Sequence, residues 1–216
     1  MNRVYVQFGC GLCAPAGWRN FDASPQLRME RCPVIRNFVR KPLFPENCEY
    51  GDIVKGLPLA SDSCDIIFSS HVLEHLTLQE FRVALTNVFT MLKPGGVFRS
   101  VVPDLASAAK NYLASHEKDR AQVFLKSIAL GKESRSRSFM GLLRSFIGNT
   151  QHLWMWDYEG LESELRKTGF VDIRQAFFGD SLDPMVDRVE CEIRWRGSVG
   201  FTCVKPMAKI TDQPVF

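Results

Sequence analysis

The stretch Val4-Tyr5-Val6-Gln7-Phe8-Gly9-Cys10-Gly11 constrains this chain more than any other. A short apolar run ending in two glycines one residue apart reads as a buried strand whose exit passes bare backbone close to another body. Trp18-Arg19-Asn20-Phe21-Asp22 repeats the plan with a carboxylate at its tip. Only the six residues Leu12 to Gly17 lie between the two stretches. Six residues cannot form the helix that usually joins two parallel strands. Gly9-Cys10-Gly11 is therefore expected to enter a compact loop holding Pro15 and Gly17, with no helix N-terminus behind it. Gly9, Gly11 and Ala14 do fit G-x-G-x-x-A, but a dinucleotide enzyme needs that helix end for its pyrophosphate. Bare backbone at one strand tip and an acid at the next suit a nucleoside. The glycines admit the ligand, and Asp22 accepts from two ribose hydroxyls.

Further strands and helices alternate along the chain. Ser24-Pro25 starts a short helix to about Arg31. Residues 32–47, with Pro33, Pro42 and Pro45 and the basic Arg36, Arg40 and Lys41, form an irregular connection. Cys48 to Val54 is a strand broken by Gly51 and carrying Asp52. Asp65-Ile66-Ile67-Phe68-Ser69-Ser70 is a buried strand with small polar residues at its exit. Thr77 and Glu80 make a capping box. Behind them Leu78, Phe81, Leu85, Val88, Phe89 and Leu92 recur at helical spacing, which predicts a helix over 77–92. Lys93-Pro94-Gly95-Gly96 stops it as a turn, and Val97 to Val102 is the next strand, ending in Pro103-Asp104. Helices are expected over 106–113, 121–130, 139–147 and 157–168, the last stopped by Gly169. Phe170 to Phe178 and Val199 to Val204 close the sheet, with an antiparallel finish.

Strands alternating with helices imply an α/β domain with a mostly parallel sheet covered on both faces. Ligands sit at the carboxyl ends of such strands, where Gly9, Gly11, Asp22, Asp52, Ser69, Ser70, His71 and Asp104 all fall. At 216 residues and 45% hydrophobic, residues 1–216 make one domain. Residues 104–150 are a helical insertion after the fifth strand, long enough to act as a lid over the site. The net charge of +3 makes no case for a nucleic-acid partner. No apolar run reaches membrane-spanning length, and no signal peptide precedes the first strand, so a cytoplasmic protein is expected. The seven cysteines include one C-x-x-C, Cys10 and Cys13, with no second pair at ligand spacing. They read as small, half-buried residues of a reducing compartment, and no metal is expected.

In their order and spacing these residues resemble the class I, Rossmann-like S-adenosylmethionine-dependent methyltransferases, in particular the small-molecule, ubiquinone-type branch. The resemblance covers nearly the whole chain. It is carried by Phe8-Gly9-Cys10-Gly11, Gly17 to Asp22, Gly51-Asp52-Ile53, Asp65 to Leu76 and Leu92 to Gly96. It implies a seven-stranded sheet with an antiparallel closing strand and S-adenosylmethionine as cofactor. Phe8, Gly9, Cys10 and Gly11 would pass under the methionine part, and Asp22 would hold the ribose. Asp52 would accept from the adenine amino group, with the Ile53 backbone beside it. Ser69, Ser70 and His71 would line the floor where methionine meets acceptor.

A sulfonium methyl is already activated, so such a protein mainly aligns nucleophile, carbon and sulfur. An alcohol acceptor also needs somewhere to put its proton. His71, His75 and Asp104 are the catalytic candidates, with Glu74 and His152 near them in the expected fold. Each has a plainer reading: His71 as a pocket wall or helix entry, His75 as a core residue, Asp104 as a helix cap, His152 as packing among Trp154 and Trp156. Lys132, Arg135, Arg137 and Arg144 could grip an acidic acceptor or simply be solvated. The expected acceptor is an oxygen or nitrogen of a small-molecule or glycan, cell-envelope-type substrate. Ser69-Ser70-His71-Val72 stands where amino-group methylases of nucleic acids carry their proline-aromatic signature, which disfavours that class. The competing reading is a non-catalytic nucleoside-binding or assembly module that kept the fold.

Overall fold

The computed structural model describes residues 3–34, 42–131 and 151–207. Seven strands form one sheet in the order β3-β2-β1-β4-β5-β7-β6. They are β1 (Tyr5–Phe8), β2 (Trp18–Asp22), β3 (Cys48–Tyr50), β4 (Cys64–Ser70), β5 (Leu92–Pro103), β6 (Val171–Ala176) and β7 (Ser198–Val204). β1 to β5 pair in parallel, and β7 runs antiparallel to both β5 and β6. This is the expected α/β, Rossmann-like, mostly parallel architecture. The order reverses between β1 and β4, and an open α/β sheet offers its ligand crevice at that point.

The expected absence of a helix between the first two strands is what the structure has. Tyr5 to Phe8 lie in register with Trp18 to Phe21, and no helix stands between them. Four residues of strand need a return of roughly 13 Å, and the nine residues 9–17 can span about 30 Å, so the connection is geometrically easy. The problem it creates is cover, because a parallel sheet buries both faces. Alternation along the strands sorts the faces. Val6, Phe8, Phe21, Ile67, Phe98 and Phe201 point into the main core beneath helices α2 (Leu78–Met91) and α5 (Tyr158–Thr168). Trp18, Ile66 and Phe68 point the other way and pack on Val186 and Val189.

That second face is covered by the irregular segment 177–197, with short 3-10 turns at Val186–Arg188 and Glu192–Arg194. The segment fastens onto the compact loop directly. The Trp18 indole donates to the Met185 carbonyl at 3.0 Å, and Arg188 donates to the Ala16 carbonyl at 3.2 Å. On this face the buried Gln7 donates through Nε2 to Oδ1 of the buried Asn20 at 2.6 Å, and Asn20 Nδ2 donates to the Trp18 carbonyl at 3.0 Å. Arg99, 2% exposed, donates to Glu190 at 2.6 Å, to Asp180 at 2.7 Å and to the Phe177 carbonyl, and lies 4.8 Å from the Trp195 ring.

Most elements match their expected bounds. The capping box before α2 is present, with Glu80 N–H donating to Thr77 Oγ1 and Thr77 N–H to Glu80. α5 starts on the Asp157 cap and stops at Gly169, whose φ of +106° is the left-handed stop a glycine permits. Two expectations are corrected. The strand at Cys48 ends at Tyr50 rather than Val54, because Asp52 caps a turn through Val54 N–H and Lys55 N–H. Lys93-Pro94-Gly95-Gly96 does not leave the sheet. α2 runs straight into β5, Leu92 pairs with Cys64, and pairing resumes at Val97 with Ile66. Gly95 N–H donates to the Lys205 carbonyl and Lys205 N–H to the Gly96 carbonyl, so partners for these groups come from beyond β7.

After β5 come two short helices, α3 (Leu105–Ala114) and α4 (Arg120–Ser127), neither with a buried residue. The earlier α1 (Pro25–Arg31) buries Leu27 against Cys10 and Cys48. Lys132, Arg135, Arg137, Arg144 and the helix expected over 139–147 lie outside the described residues. Among the described residues no helix is long and apolar enough to cross a membrane.

Candidate active site

A cavity of about 470 Å³ opens where β1, β2, β3 and β4 end. Each strand delivers one wall. β1 brings Phe8 and Gly9, β2 brings Asp22, the exit of β3 brings Gly51, Asp52 and Ile53, and the exit of β4 brings His71 and Val72. His75 and Leu76 close the far side from the 3-10 turn Leu73–His75.

Gly9 has φ +66°, and a Cβ there would stand 2.1 Å from Val72 Cγ2. Glycine is thus required both for the turn and for the approach of β1 to the β4 exit. Asp22 is held by main chain on both oxygens: Gly11 N–H donates at 2.9 Å and Ser24 N–H at 2.8 Å. A carboxylate has about four lone-pair sites, so two remain for hydroxyl donors. Asp52 accepts from Val54 N–H at 3.0 Å and faces Lys55 at 3.2 Å. Apolar Phe8, Ile53, Val72 and Leu76 line the same cavity as these acids, which suits a flat base with polar edges.

His71 also has a positive φ, +55°, unusual for a side-chain-bearing residue and frequent at functional sites. Its Nε2 lies 2.8 Å from the Arg194 carbonyl and its Nδ1 3.3 Å from Glu74. Burial opposes charge on the ring, but the Glu74 carboxylate and the Arg194 carbonyl hold its pKa above the ordinary value. Both nitrogens face acceptors, so the ring serves as an anchored donor between β4 and segment 177–197. His75 Nδ1 lies 2.9 Å from the Gln151 carbonyl. The His152 ring stands 5.1 Å from that of His75, and burial lowers its pKa.

Of the residues expected in the site, Phe8, Gly9, Asp22, Asp52, Ile53, His71 and His75 come together on the cavity. Others do not line it. Cys10 turns into a small core where its Sγ lies 3.1 Å from that of Cys48, and burial raises its pKa. Gly11 contributes through its N–H to Asp22. Ser69 is buried against Ser100 at 2.8 Å, because alternation sends it to the main-core face. The Ser70 hydroxyl is buried too. Asp104 caps α3 by accepting from Ala106 N–H at 2.9 Å. Sequence reasoning missed Val72 and Leu76, whose apolar side chains carry no signal of a site, and the Arg194 carbonyl, which no side-chain pattern could announce.

Residues 6–100 match the methyltransferase-domain family. These residues hold the strand tips that build the cavity. The stretch over residues 6–100 is a methyltransferase domain. No curated protein sequence matches it. Among solved structures, it is similar to a chain of the complex between the Haloferax volcanii Trm112 methyltransferase activator and a methyltransferase. That likeness has 16% identity and a TM-score of 0.51, covering 96% of this chain and 83% of the other. It is also similar to the CMeT domain of the citrinin polyketide synthase, at 10% identity and a TM-score of 0.51 over 95% of this chain and 47% of the other. At such identities the likeness speaks to fold. Beyond the matched stretch, β7 and β6 complete the same sheet beside β5.

Proposed function

We propose that the cavity at the β1–β4 tips holds S-adenosylmethionine and that the methyl acceptor is an oxygen or nitrogen of a small-molecule or glycan-type substrate. The observation that carries this reading is the Asp22 carboxylate. It is fixed by two main-chain donors on the cavity wall, with lone pairs left for a ribose. In this reading Asp52 and the Ile53 backbone take the adenine edge. Phe8, Val72 and Leu76 take its faces, and Gly9 gives room to the methionine part.

The cofactor supplies an electrophilic methyl on a sulfonium. The chain's task is then alignment and exclusion of water. His71 is a rigid donor at the acceptor end, tied by Arg194 and Glu74, and orients an acceptor oxygen or nitrogen more readily than it takes a proton. His75 lies beside it on the same wall. Asp104, engaged as a cap, is reserved for α3.

Incubation with S-adenosylmethionine carrying a labelled methyl, against a panel of hydroxyl and amine acceptors including envelope sugars, tests the assignment. Label is expected to move to a small or glycan acceptor, with S-adenosylhomocysteine formed in equal amount. Transfer confined to nucleic acid or protein would overturn the acceptor class. Cofactor binding with no transfer to any acceptor would favour the non-catalytic module.

A further inference from the structure

We propose that Glu74, His75 and His152 form a site for a divalent first-row transition-metal ion beside the cavity, which His75 lines. One donor atom from each lies within 4.8 Å of the others. Glu74 is fully buried, and neither carboxylate oxygen has a hydrogen-bond partner. His71 Nδ1 stands 3.3 Å from Oε1, an ion-pair distance without hydrogen-bond geometry, and Oε2 is left to something else. A buried carboxylate faced only by the His71 imidazole, at one of its two oxygens, is costly, and a cation is one of the few groups that relieves it.

The two imidazoles are prepared for ligation. His75 Nδ1 lies against the Gln151 carbonyl, so it carries the proton and Nε2 has the lone pair. In His152 the arrangement is reversed. Nδ1 is buried without a hydrogen-bond partner, while the ring bonds the Ile128 carbonyl, which falls to Nε2. Each ring thus has one nitrogen tied to a main-chain carbonyl. That is the outer-shell pattern that fixes metal-binding histidines.

Main chain holds the two halves of the site together. Leu153 and Trp154 N–H both donate to the Glu74 carbonyl, at 2.8 and 3.2 Å. His152 N–H reaches the Ala129 carbonyl. An ion with ligands at about 2.1 Å needs donors roughly 3.0–3.4 Å apart, so the cluster closes by at most about 1–2 Å on binding. Two imidazoles and one carboxylate suit zinc, manganese, iron or cobalt, and not the all-oxygen shells of calcium and magnesium. Three protein ligands leave a position for water or for an acceptor oxygen. That second role rests on the methyl-transfer reading; the binding of the ion does not.

The full chain, stripped with chelator, is titrated calorimetrically with Mn(II), Co(II) and Zn(II). One ion per chain is expected for at least one of them, weakened by about 100-fold or more in Glu74→Gln and His152→Ala. The Cys10→Ser/Cys48→Ser variant should bind as the unaltered chain does. In unaltered protein one equivalent of Co(II) should shift the ring-proton resonances of His75 and His152 and leave His116 in place, a readout that needs no variant to fold. Absence of saturable binding by all three ions, or undiminished binding in both variants, would overturn the site. So would unmoved His75 and His152 resonances. None of these results touches the methyl-transfer reading, which is measured by turnover.

Discussion

Two residues carry more than their size suggests. Gly9→Ala adds a methyl 2.1 Å from Val72 Cγ2 and demands a left-handed alanine. The conformation alone costs about 1–2 kcal/mol. The variant should lose at least that much stability to urea and bind S-adenosylhomocysteine at least about tenfold more weakly. Adding Val72→Ala should recover the clash but not the backbone term. Arg99 is the other. It neutralises Glu190, whose side chain is fully buried, and also Asp180. Arg99→Met should cost about 3–5 kcal/mol by stranding the Glu190 charge, and Arg99→Met/Glu190→Met clearly less. Denaturant unfolding of the two variants checks this, and equal losses would contradict it. The sequence made Gly9 legible because a glycine pair after an apolar run has few other uses. Arg99 was illegible: its partners lie about eighty and ninety residues away in a segment without periodic pattern.

At the scale of elements, α2 and α5 are locked by Glu164. Arg82 of α2 donates to it through Nε at 2.7 Å, and Lys167 of α5 approaches at 2.6 Å. The Arg82 guanidinium, and after it Lys167, hold the Glu164 carboxyl down at about 2 against its burial. A carboxyl whose pKa is lower folded than unfolded stabilises the fold above its unfolded pKa and loses that contribution as pH falls through the folded one. Because Arg82 and Lys167 are more than half exposed, screening leaves roughly 1–2 kcal/mol. Glu164→Gln should therefore be less stable than the parent near neutral pH, and the gap should close between about pH 4.5 and pH 2. Urea titrations across that range measure it; a constant gap would contradict it. The helices themselves were plain in the sequence, since their caps and apolar stripes are local. The start of β5 was not, because Pro94 and two glycines signal a turn. Pairing with Cys64 and with Lys205 is a long-range contact that overrides them.

Across the whole molecule, a missing helix and an irregular segment answer each other. The nine-residue connection after β1 leaves one sheet face open over Trp18, Ile66 and Phe68, and segment 177–197 closes it. Met185→Gly and Val186→Ala together should therefore loosen the β1–β2 loop, seen as faster amide exchange at Trp18 and Asn20. Unchanged protection would contradict that coupling. The fold class could be read from strand and helix order, and the cavity from which residues end the strands. What could not be read is where side chains turn after the strand ends: Ser69 and Cys10 inward, His71 onto a carbonyl 123 residues away. In the proposed function Asp22 grips the ribose of an adenosyl ligand at the β2 tip. Calorimetry of S-adenosylhomocysteine on the parent and on Asp22→Ala tests it most directly. Saturable one-site binding that weakens by roughly 1.5–3 kcal/mol in the variant is the predicted result; equal affinity for the two proteins would contradict it.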